Sequence, residues 1–363
     1  MKNNHCDTPF LPPELITEIL LRLPVKPLLR FKGICKSWLS LISDPQFGVS
    51  HYDLAASPSH RLLLASHYSY FRSIDIDAAL SVPLYFRLPT PLNEFQPSPD
   101  IVGSCRGFLL LYCATTPDLI LWNPSIGVHK RLSRFEDWLT LGFLYGFGYD
   151  VSTDDYLIIL IQCRRDCKTE IQVYSFKTNS RNTICIDVPY DPIGSRFSAG
   201  WLFNGNLHWL VFSQDSNVFV IIAFDLIQRS LSEIPLFKEP RIWLSLREMG
   251  GCLGVCCVTM SHEETEIWVM KEYKMQSSWT KSVVFLTLTH CFPRNLFYPI
   301  CITKDGGILV SNMRNCLEKL NDKGERLDHF TYHSSQQFFI ENLHSAPYRE
   351  SLLSLPSVIG ANE

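Results

Sequence analysis

Two pairs of adjacent carboxylates, Asp154-Asp155 and Glu263-Glu264, are the residue types that general acid–base catalysis uses. Neighbouring side chains on a strand point to opposite faces, so neither pair makes an acid–base dyad, and both read as solvated hairpin tips. His208 stands beside Trp209 inside a strand-like pattern and reads as a hydrogen-bonded core or rim histidine. Cys163 and Cys167 are four apart, as are Cys252 and Cys256, but each pair lacks the second pair that a structural zinc site needs. Cys316 precedes His329 and His333 at a finger-like distance, yet 311–314 read Ser-Asn-Met-Arg and hold no partner cysteine. A nucleophile elbow, a phosphate-cradling Gly-Lys-Ser/Thr loop and a His-Glu-x-x-His helix are all missing. The residues therefore assign no catalytic group, no metal ligand and no cofactor.

Thirteen cysteines fit the same view. Their number is odd, and Cys113, Cys256 and Cys257 sit within apolar runs, where free cysteine behaves as a small hydrophobe. The first residues, MKNNHCDTPF, lack the basic-then-apolar layout of a secretory signal, so a reduced interior, cytoplasmic or nuclear, is expected.

The chain has 363 residues, 46% hydrophobic and 19% charged, which suits one large folded domain and a small one. Its net charge of −3 gives no reason to expect nucleic acid as a partner. Long apolar runs such as VFVIIAF, 218–224, are strand-sized, so no membrane span is expected.

The strongest pattern lies in 8–47, TPFLPPELITEILLRLPVKPLLRFKGICKSWLSLISDPQF. Pro12 and Pro13 suit a helix start, and Glu14 and Glu18 suit the positive end of its dipole. Leu15, Ile16, Ile19, Leu20 and Leu23 recur at helical spacing until Pro24. Pro27 can open a second helix carrying Leu28, Leu29 and Phe31. A third is expected from about Ile34 to Ser43, stopped by Asp44-Pro45. About 40 residues cannot enclose a core for so much apolar surface, so the rest of the chain or a partner must cover it.

A second pattern fills the remainder. Phe71-Arg72-Ser73-Ile74, Leu121-Trp122-Asn123-Pro124, Val173-Tyr174-Ser175-Phe176, Ala223-Phe224-Asp225-Leu226, Ile267-Trp268-Val269-Met270 and Leu317-Glu318-Lys319-Leu320 begin 50, 52, 50, 44 and 50 residues apart. The later five are preceded by glycine-bearing apolar segments and followed by polar turns. Asn204-Gly205 and Asp305-Gly306 supply the left-handed residues of tight hairpins. Two hairpins per period make a four-stranded sheet that needs similar sheets on both faces. A β-sandwich fits the alternation but not a period near 50. Pro83 to Pro99 reads as a loop on one propeller face. The segments 336–343 and 351–355 are candidates to close the ring on the first blade.

Both patterns resemble a known family. Leu11-Pro12, Glu14-Leu15, Glu18-Ile19-Leu20, Arg22-Leu23-Pro24-Val25-Lys26, Leu28-Leu29-Arg30-Phe31, Cys35-Lys36-Ser37-Trp38 and Asp44-Pro45 resemble the F-box, in order. Gly103-Ser104-Cys105-Arg106-Gly107-Phe108-Leu109, Leu121-Trp122-Asn123-Pro124-Ser125, Tyr145-Gly146-Phe147-Gly148-Tyr149-Asp150 and Gly205-Asn206-Leu207-His208-Trp209 resemble the F-box-associated domain of plant F-box/kelch-repeat proteins. The expected fold is mainly β: a kelch-like propeller of about six blades behind a small all-α module of three short helices. The expected divisions are 5–50 (F-box), 51–60 (linker), 61–356 (propeller) and 357–363 (tail).

The resemblance implies a non-catalytic subunit of a Skp–cullin–F-box ubiquitin ligase. Its helices would bind a Skp-type adaptor, and through it a cullin, while the propeller binds a target protein. Adaptor contacts would come from Leu11, Pro12, Leu15, Ile16, Ile19, Leu20, Leu23, Pro24, Leu28, Leu29, Phe31, Cys35, Trp38 and Ile42. No target-binding residue is indicated. Two alternatives remain: an F-box protein acting with the adaptor outside a ligase, and a propeller enzyme.

Overall fold

The computed structural model describes residues 11–54, 60–65, 70–78, 80, 84–87, 99–113, 116, 118–132, 143–163, 169–186, 190–192, 197–237, 242–259, 264–286, 297–312, 316–331 and 345–355. Four short helices precede six antiparallel sheets arranged as a six-bladed β-propeller.

Strands are named here from the ring's centre outward. Blade one holds Ser345–Arg349, His60–Ala65, Tyr70–Asp75 and Leu84–Arg87. Blade two holds Asp100–Cys105, Phe108–Cys113, Asp118–Trp122 and His129–Leu132. Blade three is Phe143–Asp150, Asp155–Cys163, Thr169–Ser175 and Ser180–Ile186. In blade four the inner position is split between Tyr190–Pro192 and Trp201–Phe203, both on Asn206–Ser213, followed by Val218–Asp225 and Leu231–Pro235. The chain between the two halves sends Phe197–Ala199 to pair in parallel with the inner strand of blade three. Blade five runs Ile242–Met249, Cys252–Val258, Glu264–Met270 and Trp279–Leu286. Blade six runs Phe297–Ile302, Ile308–Asn312, Cys316–Leu320 and Arg326–Thr331.

The period near 50 now has a structural meaning. Each of the six recurring segments lies on, or at the end of, the third strand of its blade. Alternation does the packing. In Phe108–Cys113 every residue is buried, with Phe108, Leu110 and Tyr112 facing blade three and Leu109, Leu111 and Cys113 facing blade one. A separate apolar cluster fills each of the six interfaces between neighbouring blades, so the sheets bury both faces and close a ring.

The closing strand is Ser345–Arg349, which pairs with His60–Ala65. It is neither of the two segments expected from sequence. Residues 336–343 lie outside the described ones, and 351–355 form no strand but pass beneath the helices. The proline-rich stretch also differs from expectation in part, because Leu84–Arg87 is the outer strand of blade one.

The helices are α1 (Pro13–Leu21), α2 (Val25–Phe31), α3 (Lys36–Ser43) and α4 (Pro45–Leu54). Three were expected. Asp44-Pro45 ends α3 but also begins α4: the Asp44 carboxylate accepts from the backbone N–H of Gln46 at 2.7 Å, and proline suits the first helical position. Helix therefore extends to Leu54, into the stretch read as linker.

Buried polar groups follow the core reading with one exception. His208 is fully buried; its Nδ1 donates to the Trp201 carbonyl at 3.2 Å and its Nε2 accepts from the Tyr273 hydroxyl at 2.7 Å. Asp154 is an exposed turn residue as expected. Asp155 instead is buried, accepting from the Ser175 hydroxyl and from the backbone N–H of Lys177. It ties the second strand of blade three to the turn after the third. Glu263 lies outside the described residues.

Burial holds His208 neutral, with its pKa drawn down to about 4, and lowers that of His51 as well. An unfolded histidine titrates near 6.5, so below that pH the unfolded state takes up the proton first. The histidine contribution to stability should be constant above about pH 7 and fall away as pH drops from about 6.5 to about 4, His208 alone accounting for about 3 kcal/mol. Denaturant melts between pH 4 and 8 measure this; a His208→Gln chain should show a shallower slope.

Candidate functional site: an apolar helical face carried by the propeller

The helices divide their apolar residues into two sets. Leu20, Leu21, Val25, Leu28, Ile42 and Phe47 form a buried cluster. That cluster is not self-contained: Leu352, from the segment after the closing strand, belongs to it, and Ile126 of blade two packs against it. The propeller thus completes a core that the helical stretch is too short to finish.

The other set faces outward. Leu15 and Ile19, one turn apart on α1, are each about half exposed, and so is Leu11 in the extended segment just before the helix. Ile34 at 60% and Leu39 at 47% are exposed at the start of α3. Partly buried residues tie the two sets together. The rings of Phe31 and Trp38 meet edge to face with centroids 5.5 Å apart, and the Cys35 sulfur accepts from the Trp38 N–H at 3.5 Å, capping α3.

Of the fourteen residues expected to touch an adaptor, Leu20, Leu28 and Ile42 are sealed inside the chain's own core. They shape the module and leave no surface for a partner. Leu11, Pro12, Leu15, Ile19, Pro24 and Cys35 are exposed, and Ile16, Leu23, Leu29, Phe31 and Trp38 are half-buried. Ile34 and Leu39 were absent from the expected set. Both lie in the segment read as a third helix, and their exposure follows from where α3 starts, at Lys36.

A short strap, 349–355, fixes the helices to the propeller. Asn123, fully buried, points its amide at the Ser351 hydroxyl (3.0 Å), the Ser351 carbonyl (3.3 Å) and the Leu353 carbonyl (3.1 Å). Its own side-chain oxygen accepts from the Ser125 N–H at 3.0 Å, and the Ser125 hydroxyl accepts from the Ser351 N–H at 3.2 Å. The Arg349 guanidinium lies 4.1 Å from the centroid of the Tyr52 ring on α4 and donates to the Tyr52 carbonyl. Two glycines permit the close approach. A Cβ on Gly107, whose φ is +81°, would lie 2.2 Å from the Ser351 hydroxyl; one on Gly48 would lie 2.9 Å from the Leu352 carbonyl. Sequence reading found the Leu-Trp-Asn-Pro motif as a repeat marker but not this role for Asn123.

The strap also fixes which propeller face the helices occupy. They sit over the turn Arg106-Gly107 and the connection 123–128 of blade two. That face carries the turns from first to second strand, which span two to five residues. The strand ends joined by 88–99, 133–142, 236–241, 287–296 and 332–344 lie on the opposite face. The helices and these strand ends are thus at opposite ends of the ring.

Comparison with known proteins adds the family. Residues 9–50 match the F-box domain, and residues 61–347 match the F-box associated beta propeller domain. An F-box/kelch-repeat protein of Arabidopsis thaliana is 29% identical over 86% of this chain and 87% of its own length. F-box protein CPR1 of the same plant is 29% identical over 75% of this chain and 72% of its own.

Proposed function

Because this chain belongs to the F-box proteins that carry an F-box-associated β-propeller domain, we propose that it is the substrate-recognition subunit of a Skp–cullin–F-box ubiquitin ligase. The observation that carries this reading is the outward set Leu11, Leu15, Ile19, Ile34 and Leu39, left uncovered by the chain that displays it. Such a set of apolar side chains on short helices suits a helix-and-groove interface whose core excludes water. A Skp-type adaptor is the partner of that chemistry in this family, with a cullin bound through it.

The propeller holds the target. Its face away from the helices, where the longer connections join the strands, is the surface for that role, since binding residues concentrate on loops held by a rigid scaffold. Ubiquitin then passes to target lysines from a conjugating enzyme held elsewhere in the assembly. The chain acts by raising effective concentration, and no group of its own touches the thioester. The strap makes that tethering directional: Asn123, Ser351 and Arg349 set the angle between adaptor and target. The reduced cytoplasm or nucleus is the compartment that suits the ten cysteines described as free thiols.

The test is reconstitution. The full chain, a plant Skp-type adaptor, a cullin with its RING partner, and E1 and E2 enzymes are combined with proteins captured on the propeller after proteasome inhibition. Ubiquitin on a captured protein, lost when this chain is omitted, is the expected result. An adaptor complex that excludes cullin would instead place the chain outside a ligase, and a failure to bind adaptor would remove the reading altogether.

A further inference from the structure

A cavity of about 270 Å³ lies among the innermost strands of blades one to five, with Tyr52 of α4 on its wall. Its charged lining is unbalanced. Arg106, Arg247 and Arg349 meet one carboxylate, Glu248. Arg349 is committed to Tyr52. Arg247 is not committed to any acid: it donates to the carbonyl of its neighbour Leu246 at 3.0 Å and lies 5.0 Å from the centroid of the Trp201 ring. Among the described residues neither Arg247 nor Glu248 makes an ion pair. Partial burial draws the pKa of Arg247 down to about 10, so it stays charged at neutral pH.

Two further donors on this lining are unsatisfied. The Nε of Arg106 and the indole N–H of Trp201 are buried without a hydrogen-bond partner. Arg106 also stands at a positive φ of 49°, with its guanidinium 4.2 Å from the centroid of Tyr149 and 5.0 Å from that of Tyr52. A buried donor left unpaired costs about 1–3 kcal/mol, and an unpaired charge more. Arg106 also shares a side-chain hydrogen bond with Tyr156, and Glu248 is exposed, so guanidinium donors outnumber carboxylates around one partly open space. Carboxylate and phosphate oxygens are the acceptors that guanidinium groups fit best.

We propose that this cavity is a binding site for a compact organic oxyanion, a carboxylate or phosphate ester free in solution, held by Arg247 with Trp201 and Arg106. The volume is somewhat below the range of drug-sized pockets, about 300–1,000 Å³, which fixes the ligand as small. The aromatic wall formed by Tyr52, Tyr145, Phe147 and Trp201 suits an apolar or flat body behind the anionic group. The inference stands apart from the ligase reading, because it concerns a space inside the ring and needs no adaptor.

Calorimetry on the full chain tests it, with benzoate, phenyl phosphate and inorganic phosphate as probes at constant ionic strength. One saturable site per chain is expected for benzoate or phenyl phosphate, with inorganic phosphate weaker by about tenfold or more for lack of a body. Arg247→Gln should weaken binding by at least about tenfold and Trp201→Phe severalfold, while Arg326→Gln on the exposed rim of blade six leaves it unchanged. Should Arg247→Gln fail to fold, Trp201→Phe decides, since it removes the indole N–H and keeps a ring. The proposal is overturned if no probe binds below about 10 mM, if binding in the cavity variants equals that of the unaltered chain, or if Arg326→Gln weakens it as much as Arg247→Gln.

Discussion

Replacing Leu15 and Ile19 together by aspartate is expected to weaken adaptor binding by at least about a thousandfold and to leave the melting temperature of the chain within a degree or two. Each side chain is half exposed, so its remaining surface adds about 1 kcal/mol when a partner covers it. The larger effect comes from the introduced charges, which a closed apolar interface must desolvate at several kcal/mol in all. The chain itself is spared because these carbons touch solvent before any partner arrives. Leu28→Ala should do the opposite: Leu28 is fully buried in the cluster with Leu20, Ile42, Phe47 and Leu352, and its truncation should cost about 2–5 kcal/mol of stability. Binding titrations and thermal melts on the two variants read these effects separately. Equal loss of stability in both would mean that the outward set is packed after all.

Asn123→Ala carries the second large effect. Its amide meets three acceptors in the strap from full burial, and truncation leaves the carbonyls of Ser351 and Leu353 short of a donor. The expected loss is about 3 kcal/mol, concentrated at the joint between helices and propeller. Hydrogen exchange should rise in 349–355 and in α4 while the third strands of the blades stay protected. If the ligase reading holds, adaptor and target should both still bind, and ubiquitin transfer should slow because the tether no longer holds one direction. An unchanged exchange pattern would show that the apolar contact of Leu352 alone secures the joint.

The ring was readable in the sequence because each blade repeats one demand. Each third strand must bury apolar residues against a neighbouring blade and end in a polar turn, which produced six matching segments near 50 residues apart. Tight hairpins were readable at Asn204-Gly205, where both residues take positive φ of 48° and 72°. The closure was not readable. Ser345–Arg349 reads SAPYR, carries a proline, and finds its partner almost 300 residues away, so no local period marks it. The fourth helix was hidden by a two-way signal, since Asp-Pro ends one helix and caps the next.

The site was legible in kind and less so in detail. Helical spacing identified α1, but its period runs all round the helix: Leu20 and Leu21 point into the core and Leu15 and Ile19 away from it. Which side is covered depends on Leu352 and Ile126, residues distant in sequence. Arg247 gave no signal at all. It stands in an ordinary strand, and only the ring brings it near Trp201 and across from Arg106.

Hydrogen–deuterium exchange of the full chain, with and without a plant Skp-type adaptor, tests the central claim most directly. Protection confined to α1, the 31–39 segment and the backbone between them, with the propeller blades unchanged, is the predicted result. An adaptor that leaves those residues exchanging freely, or that protects the propeller instead, would contradict it.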